Sequence, residues 1–343
     1  MSKTLLVVKF GTSAITNSNG EPEQAVLERI ASELAVLHKK HHIVMVSSGA
    51  VGAGKKFIAN YDGSISKRKA AASIGNPLLI IKFSEVFAKY GIHVAQSLCE
   101  RTHFADRERF LQLKDTYQEL WQNDIIPIAN ENDVISDREL KFSDNDELAT
   151  QIAVGFGAEK LMIATESGGL LDKEKKIVGH IPKIDESVMA LVDTSKSALG
   201  LGGMSSKLTF AKMATRMGVK VTIFGIKTHQ AGILSAYGGQ SGSTFEAQEA
   251  NITARNKWLA SGSLTTATVV LDEGAAAAVK KRKSLLAVGI SGIEGQFDSG
   301  EVVEITNSNA EVIAIARVRA SSEVLSTKPQ NLIVAHADDI VLL

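Results

Sequence analysis

Three observations predict an α/β fold: a three-layer αβα sandwich with a mainly parallel central sheet, followed by a small, mostly β barrel-like domain. From Met1 to about Asn251, short apolar runs rich in Val and Ile alternate with longer segments, several of helical periodicity. The runs are apolar without strict alternation, as strands covered on both faces are. After Gly262 the pattern changes to short strands at close spacing with Gly-containing turns.

The predicted strands of the first region are TLLVVKF (4–10), HHIVMVSS (41–48), IHVAQSL (92–98), IIPIAN (125–130), KLMIAT (160–165) and VKVTIFG (219–225). Helical periodicity is clear in Pro22–His41 and Asn76–Gly91. Small and polar residues gather where these strands end: Gly11, Thr12 and Ser13; Ser47, Ser48 and Gly49; Asn130 to Asp133; Thr165 to Gly169. In open parallel sheets, ligands bind beyond those ends. Between Gly238 and Gly262 the sequence is turn-rich and lacks an apolar stripe, so the domain boundary is expected near its end. Beyond it, TATVVLD, SLLAVGI, EVVEIT, EVIAIARV and NLIVAHADDIVLL read as strands, with a short Ala-rich helix over Gly274–Lys280.

The 343 residues suit two domains, and 44% hydrophobic content supplies a large core. The formal net charge is zero, which gives no global electrostatic argument for a nucleic-acid or membrane partner. Cys99 is the single cysteine, so no intramolecular disulfide forms; it reads as a small strand-end side chain. The N-terminal apolar run is short and interrupted by Lys9, unlike a secretory signal, and no membrane-spanning stretch is expected. A cytoplasmic protein is the expectation. His41–His42 reads as a solvated helix end.

Four stretches could carry chemistry. Lys9 ends an apolar strand beside Gly11, Thr12 and Ser13: it either snorkels from an edge strand or supplies charge to a phosphate held by backbone amides. VSSGAVGAG, Val46 to Gly54, is a strand-to-helix turn that could hold a carboxylate or phosphate. LGLGGMSSK, Leu199 to Lys207, brings three glycines to a helix start, with Ser205 and Ser206 as candidate caps and Lys207 in the first turn, where the helix dipole disfavours a cation. IPIANENDVISDRELKFSDNDELAT, Ile126 to Thr150, crowds carboxylates and amides together. It lacks the glycine and late glutamate of an EF-hand, so it is a solvated loop or a polar substrate site. No His cluster, Ser-His-Asp set or Cys-His set stands out. Two lysines with amides and carboxylates suit phosphoryl transfer: the lysines neutralise charge, magnesium bridges phosphates, and carboxylates orient lysines and acceptor.

VVKFGTSAIT, VSSGAVGAG, IPIANENDVI, FSDNDELA and GGMSSKL, in this order, resemble the glutamate 5-kinase family of the amino-acid kinase superfamily, as does DRERFLQLKDTYQELWQNDIIPIANEND. LTTATVVLDEGAAAAV and GQFDSGEVVEI are similar to the PUA domain that many of its members carry. The resemblance implies a kinase domain at 1–252, a linker at 253–261 and a PUA-like domain at 262–343. It implies transfer of the ATP γ-phosphoryl group to the γ-carboxylate of L-glutamate, the first step of proline biosynthesis. Lys9 and Lys207 would flank the transferring group, and Asp146 would orient them. Ser48, Asp133 and Asn145 would bind glutamate, with Asp133 meeting its amino group. Lys9, Thr165, Glu166, Leu201, Gly202, Gly203, Met204, Ser205, Ser206 and Lys207 would line the ATP site. Mg2+ would be held mainly by phosphates, without a cage of side chains. A homo-oligomer (dimer or tetramer), proline feedback and hand-off to glutamyl phosphate reductase are further implications. The chain departs from the family's pattern at Glu166, usually Asp, at Leu201, usually Thr, and in a short segment between Ser326 and Asn331.

Two other readings share these residues. Another amino-acid kinase would take aspartate, N-acetylglutamate or a nucleotide as acceptor; the discriminator is an anionic partner for a free ammonium, as Asp133 could be. RNA binding through the PUA-like domain would use the basic run Lys280 to Lys283, but no aromatic residues interleave it, and a solvated helix end is the plainer reading.

Overall fold

The computed structural model describes residues 3–17, 19–135, 145–192, 203–227, 232–248, 267–309, 311–327 and 329–342. Two compact units divide the chain: Met1–His103 with Leu111–Ala250, and Asn251–Leu343 with Phe104–Phe110. The expected linker at 253–261 lies outside the described residues.

The first unit is built on an eight-stranded sheet: β1 Thr4–Phe10, β2 His41–Ser47, β3 Val94–Cys99, β4 Ile126–Glu131, β5 Lys160–Ala164, β6 His180–Ile181, β7 Lys220–Phe224 and β8 Ser243–Phe245. Their order is β3-β4-β2-β1-β5-β7-β8-β6. The six strands expected from the sequence form its parallel part. β8 pairs antiparallel to β7, and β6 extends that edge. Neither of these two strands was expected: each is two or three residues long, too short for a periodic signal. β1 lies between β2 and β5, with Lys9 in register with Val46 and Ile163. That central position excludes the edge-strand reading of Lys9.

The sheet is covered by the amphipathic helix Gln24–His38, which sends Leu27, Ile30 and Leu34 into a core shared with Phe10, Phe83, Phe87 and Phe224. The helix Ile65–Ala88 starts eleven residues before the periodicity at Asn76 and carries Pro77 inside it. Its length and composition would suffice to cross a membrane, which corrects the expectation that no such stretch exists. Here Ala71, Ala72, Leu79, Phe83, Val86 and Phe87 are buried within the first unit, which makes it a core helix. Two glycines set its depth. A Cβ on Gly75 would lie 1.7 Å from the carbonyl oxygen of Ala50, and one on Gly54 would lie 1.9 Å from that of Ala71. The backbones of Ile65–Ala88 and of the short helix Ala50–Gly54 therefore touch, and the turn after β2 is pressed against the long helix.

His41 and His42 are not a helix end. They open β2, where His41 is buried between Thr4 Oγ1 (2.9 Å) and the Tyr237 hydroxyl (3.0 Å). Cys99 closes β3 in full burial, which pushes its thiol up to about 11, a structural side chain and not a reactive thiolate.

The second unit contains a five-stranded sheet, order β11-β9-β12-β13-β15, from β9 Thr268–Leu271, β11 Ile290–Glu294, β12 Val302–Thr306, β13 Val312–Arg317 and β15 Ile340–Leu342. A separate pair joins β10 Leu285–Leu286 to β14 Ile333–Ala335. Its core gathers Val269, Leu271, Val303, Ile305, Ala314 and Val334. Asp272 caps the helix Glu273–Lys280 by accepting from the Ala275 amide at 2.7 Å. Lys280 to Lys283 are exposed at that helix's carboxyl end, where cations oppose the helix dipole favourably.

The glycine contact gives a direct test. Gly75→Ala should destabilise the protein by about 2–3 kcal/mol, since the methyl must displace backbone and not a flexible side chain. Urea unfolding of the variant beside wild type measures this, and an unchanged midpoint would contradict the packing described.

Candidate active site

A cleft of about 1050 Å³ opens at the carboxyl ends of β1, β2, β4 and β5. Behind it sits a buried ionic triad. Asp146 has no solvent exposure, and Lys9 and Lys207 are 5% and 7% exposed. Lys9 Nζ is 2.5 Å from Asp146 Oδ1, and Lys207 Nζ donates to Asp146 Oδ2 at 2.9 Å. Both lysines line the cleft; Asp146 does not. Burial by itself would raise the Asp146 carboxyl, but the charges and hydrogen bonds of Lys9 and Lys207 outweigh it and hold the group below the ordinary carboxylate range.

Each member is placed by its element. Lys9 is the penultimate residue of the central strand. Asp146 lies in the first turn of the helix Asn145–Phe156, where the dipole favours a carboxylate. Lys207 is in the first turn of Met204–Arg216, where the dipole opposes it; Asp146 offsets that cost. The cap of that helix is Gly203, with no side-chain hydrogen bond, so the proposed caps Ser205 and Ser206 are not caps. They lie inside the first turn of the helix, two and three residues past its cap. Gly203 and Met204 line the cleft, whereas Ser205 and Ser206 do not. A helix start without a side-chain cap, facing a cleft, suits an anion.

The cleft's other wall is amide and hydroxyl. Asn145 Nδ2 donates to Ser48 Oγ and Asn130 Oδ1, both at 2.8 Å, and lies 3.1 Å from the Ser47 carbonyl oxygen. Asn145 Oδ1 is buried with no donor among the described residues. Ser48, Asp133, Asn145, Thr165 and Glu166 all line the cleft, together with the lysines. Gly49, with φ +102°, makes the turn after Ser48 and starts the helix Ala50–Gly54. Leu201 and Gly202 lie outside the described residues, as does Asp144.

A second cleft of about 810 Å³ shares Thr165, Glu166 and Ser167 with the first and continues past Ile226 and Lys227. Sequence reasoning missed Lys227, and also Arg68 and Tyr61 on the main cleft. Nothing near them in the chain marks them; tertiary packing brings them there. Asn130 was legible as a polar strand end, though no role was drawn from it. Among the described residues, no group of three or more His, Cys, Asp or Glu could hold a metal ion.

The amino acid kinase family model matches residues 4–225. The chain belongs to the amino acid kinase family. A PUA domain model matches residues 267–329. Glutamate 5-kinase of Pasteurella multocida is 34% identical over 330 residues, covering 93% of this chain and 90% of that protein. Glutamate 5-kinase of Shewanella amazonensis is 35% identical over 347 residues, covering 98% and 90%. The solved carbamate kinase from Giardia lamblia bound to AMP-PNP covers 72% of this chain and 99% of its own with a TM-score of 0.52; at 17% identity that likeness shows the fold. The α/β sandwich and the PUA unit expected from the sequence both hold.

Removing the triad's centre tests its weight. Asp146→Ala leaves two buried ammonium groups without their carboxylate and should cost about 3 kcal/mol or more. Because the folded-state pKa of Asp146 is depressed, its contribution is full above the ordinary carboxylate range and is lost as pH falls through the depressed value. The gap between wild type and variant in urea midpoint should therefore be constant near neutrality and narrow in acid. A gap that widens in acid would reverse the assignment.

Proposed function

We propose that the protein is a glutamate 5-kinase: it transfers the γ-phosphoryl group of ATP to the γ-carboxylate of L-glutamate, forming L-glutamyl 5-phosphate and ADP at the head of proline biosynthesis. The observation that carries this reading is the pair of lysines held by one buried carboxylate, facing the same cleft as Ser48, Asp133 and Asn145. The relatives matched over most of the chain bear the same name, which disfavours the other acceptors and the RNA-binding alternative.

The chemistry fits the residues. A γ-carboxylate oxygen attacks the γ-phosphorus, one P–O bond forms, and the bond to the ADP oxygen breaks. The acceptor is already ionised near neutral pH, so no proton has to be removed and no general base is required. What must be supplied is positive charge on the transferring group and the leaving oxygen. Lys9 and Lys207 supply it from two sides. Asp146 is a positioning residue: it is committed to both lysines and does not reach the cleft. The polyphosphate would lie at the helix start of Gly203 and Met204, and the base would extend past Thr165 and Glu166 toward the second cleft. Magnesium would enter with the phosphates and neutralise charge between them; Asp146, bound by two ammonium groups, fits a cation held chiefly by phosphate and water. The amide of Asn145 and the carboxylate of Asp133, both lining the cleft, suit the acceptor's ammonium. Proline has the same α-carboxylate and cationic amine, so it would compete there, and the labile acyl phosphate calls for prompt reduction by a partner enzyme. The reading keeps the kinase domain at 1–252, the linker at 253–261 and the PUA-like domain at 262–343, in a homo-oligomer.

Incubation with Mg-ATP and L-glutamate should release ADP and, with hydroxylamine, give the hydroxamate. L-Aspartate and N-acetyl-L-glutamate should give neither, and turnover with one of them instead would overturn the acceptor assignment. Lys207→Ala should lower kcat by about a hundredfold or more with a small change in glutamate KM, because its contact strengthens in the transition state. Asn145→Ala should mainly raise glutamate KM, by about tenfold. Equal effects of both variants on both parameters would remove these roles.

A further inference from the structure

Behind the acceptor wall runs a chain of buried amides. Asn145 Nδ2 donates to Asn130 Oδ1 at 2.8 Å, and Asn130 Nδ2 donates to Asn76 Oδ1 at 2.9 Å. The Glu131 backbone N–H also donates to Asn130 Oδ1, at 2.9 Å. Asn130 and Asn76 are 6% and 5% exposed, so neither can readily replace these partners with water. We propose that Asn76, a residue of the core helix Ile65–Ala88 outside every motif of the cleft, is a positioning residue for the acceptor, acting through Asn130 on Asn145. This rests on the acceptor reading given above.

The polarity of the chain makes the effect directional. Each amide has one acceptor oxygen and one NH2 group. Asn130 Oδ1 is committed to Glu131 and Asn145, so its NH2 must find an acceptor on the far side, and Asn76 Oδ1 is there. With that acceptor lost, the buried Asn130 NH2 is unsatisfied. Rotating it toward another partner withdraws Oδ1 from Asn145. Asn145 Nδ2 then loses one of its three acceptors, keeping Ser48 Oγ and the Ser47 carbonyl oxygen, and its side chain at the cleft is held less firmly in orientation. Asn76 itself cannot drift, because the neighbouring Gly75 locks that helix turn against Ala50. Asn76 Nδ2 has no acceptor among the described residues. Asn76 also lines a cavity of about 20 Å³ that it shares with Gln96 and Ser47. An amide kept there without full pairing is a poor choice for stability, since a packed apolar side chain would serve better. Its oxygen serves the chain toward the cleft.

The test uses the full-length protein and steady-state kinetics for both substrates, with thermal unfolding alongside. Asn76→Leu, similar in volume but without the oxygen, should raise glutamate KM by about tenfold or more while leaving the KM for Mg-ATP unchanged. Asn76→Gln, whose extra methylene the small cavity can accept, should restore glutamate KM to near wild type. In an Asn145→Ala background, Asn76→Leu should add little, because the two act in one chain. Should leucine prevent folding, Asn76→Ala carries the same comparison. An unchanged glutamate KM, a parallel rise in both KM values, failure of glutamine to restore, or additivity with Asn145→Ala would each overturn the proposal while leaving the kinase reading intact. Absence of wild-type turnover with glutamate would overturn both.

Discussion

The functional end of the first unit depends on one carboxylate buried between two ammonium groups. Lys9 and Lys207 come from a central strand and a helix start far apart in the chain, and their like charges would separate without Asp146 between them. Burying three charges is expensive, and an apolar trio of similar volume would often be at least as stable. The arrangement makes sense for what it presents. Two ammonium groups are fixed at a cleft, their mutual repulsion offset from behind, with a net positive charge left to meet a polyphosphate.

One helical turn serves both halves of the site. Asn145 and Asp146 are consecutive, and successive side chains on a helix point about 100° apart. Asn145 therefore turns to Ser48 and Asn130, while Asp146 turns to the lysines. The acceptor wall and the phosphoryl-transfer wall are thereby set at a fixed separation by rigid backbone. This suits a reaction whose catalysis is mostly positioning and charge. It also explains why no histidine or cysteine machinery is needed: the attacking group is already an anion.

The core helix Ile65–Ala88 shows how packing reaches the site. Its two close glycine contacts press it onto the turn that carries Ser48. The same helix passes Asn76 to Asn130, so a buried surface without catalytic residues of its own sets the rotamers of those that have them. In the second unit the polar features are ordinary ones, a capped helix and a solvated basic end, and its core is closed by short strands.

The sequence by itself determined the α/β class, the six strands of a mainly parallel sheet, the β-rich second unit, and the stretches that meet at the cleft. Those signals are local: apolar runs, small residues at strand ends, carboxylates beside amides. Tertiary structure alone decided the rest. It made β1 central and so turned Lys9 from a possible edge lysine into a buried one. It moved His41 from an expected helix end into a buried pair with Tyr237. It ran a helix through Pro77, placed Ser205 and Ser206 inside their helix instead of at its cap, and added two strands too short to read at one side of the sheet. It also brought Asn76 to Asn130, 54 residues away. A side chain's chemistry is written in its own residue, but its partner, and hence its charge state and aim, is set by what the fold packs against it.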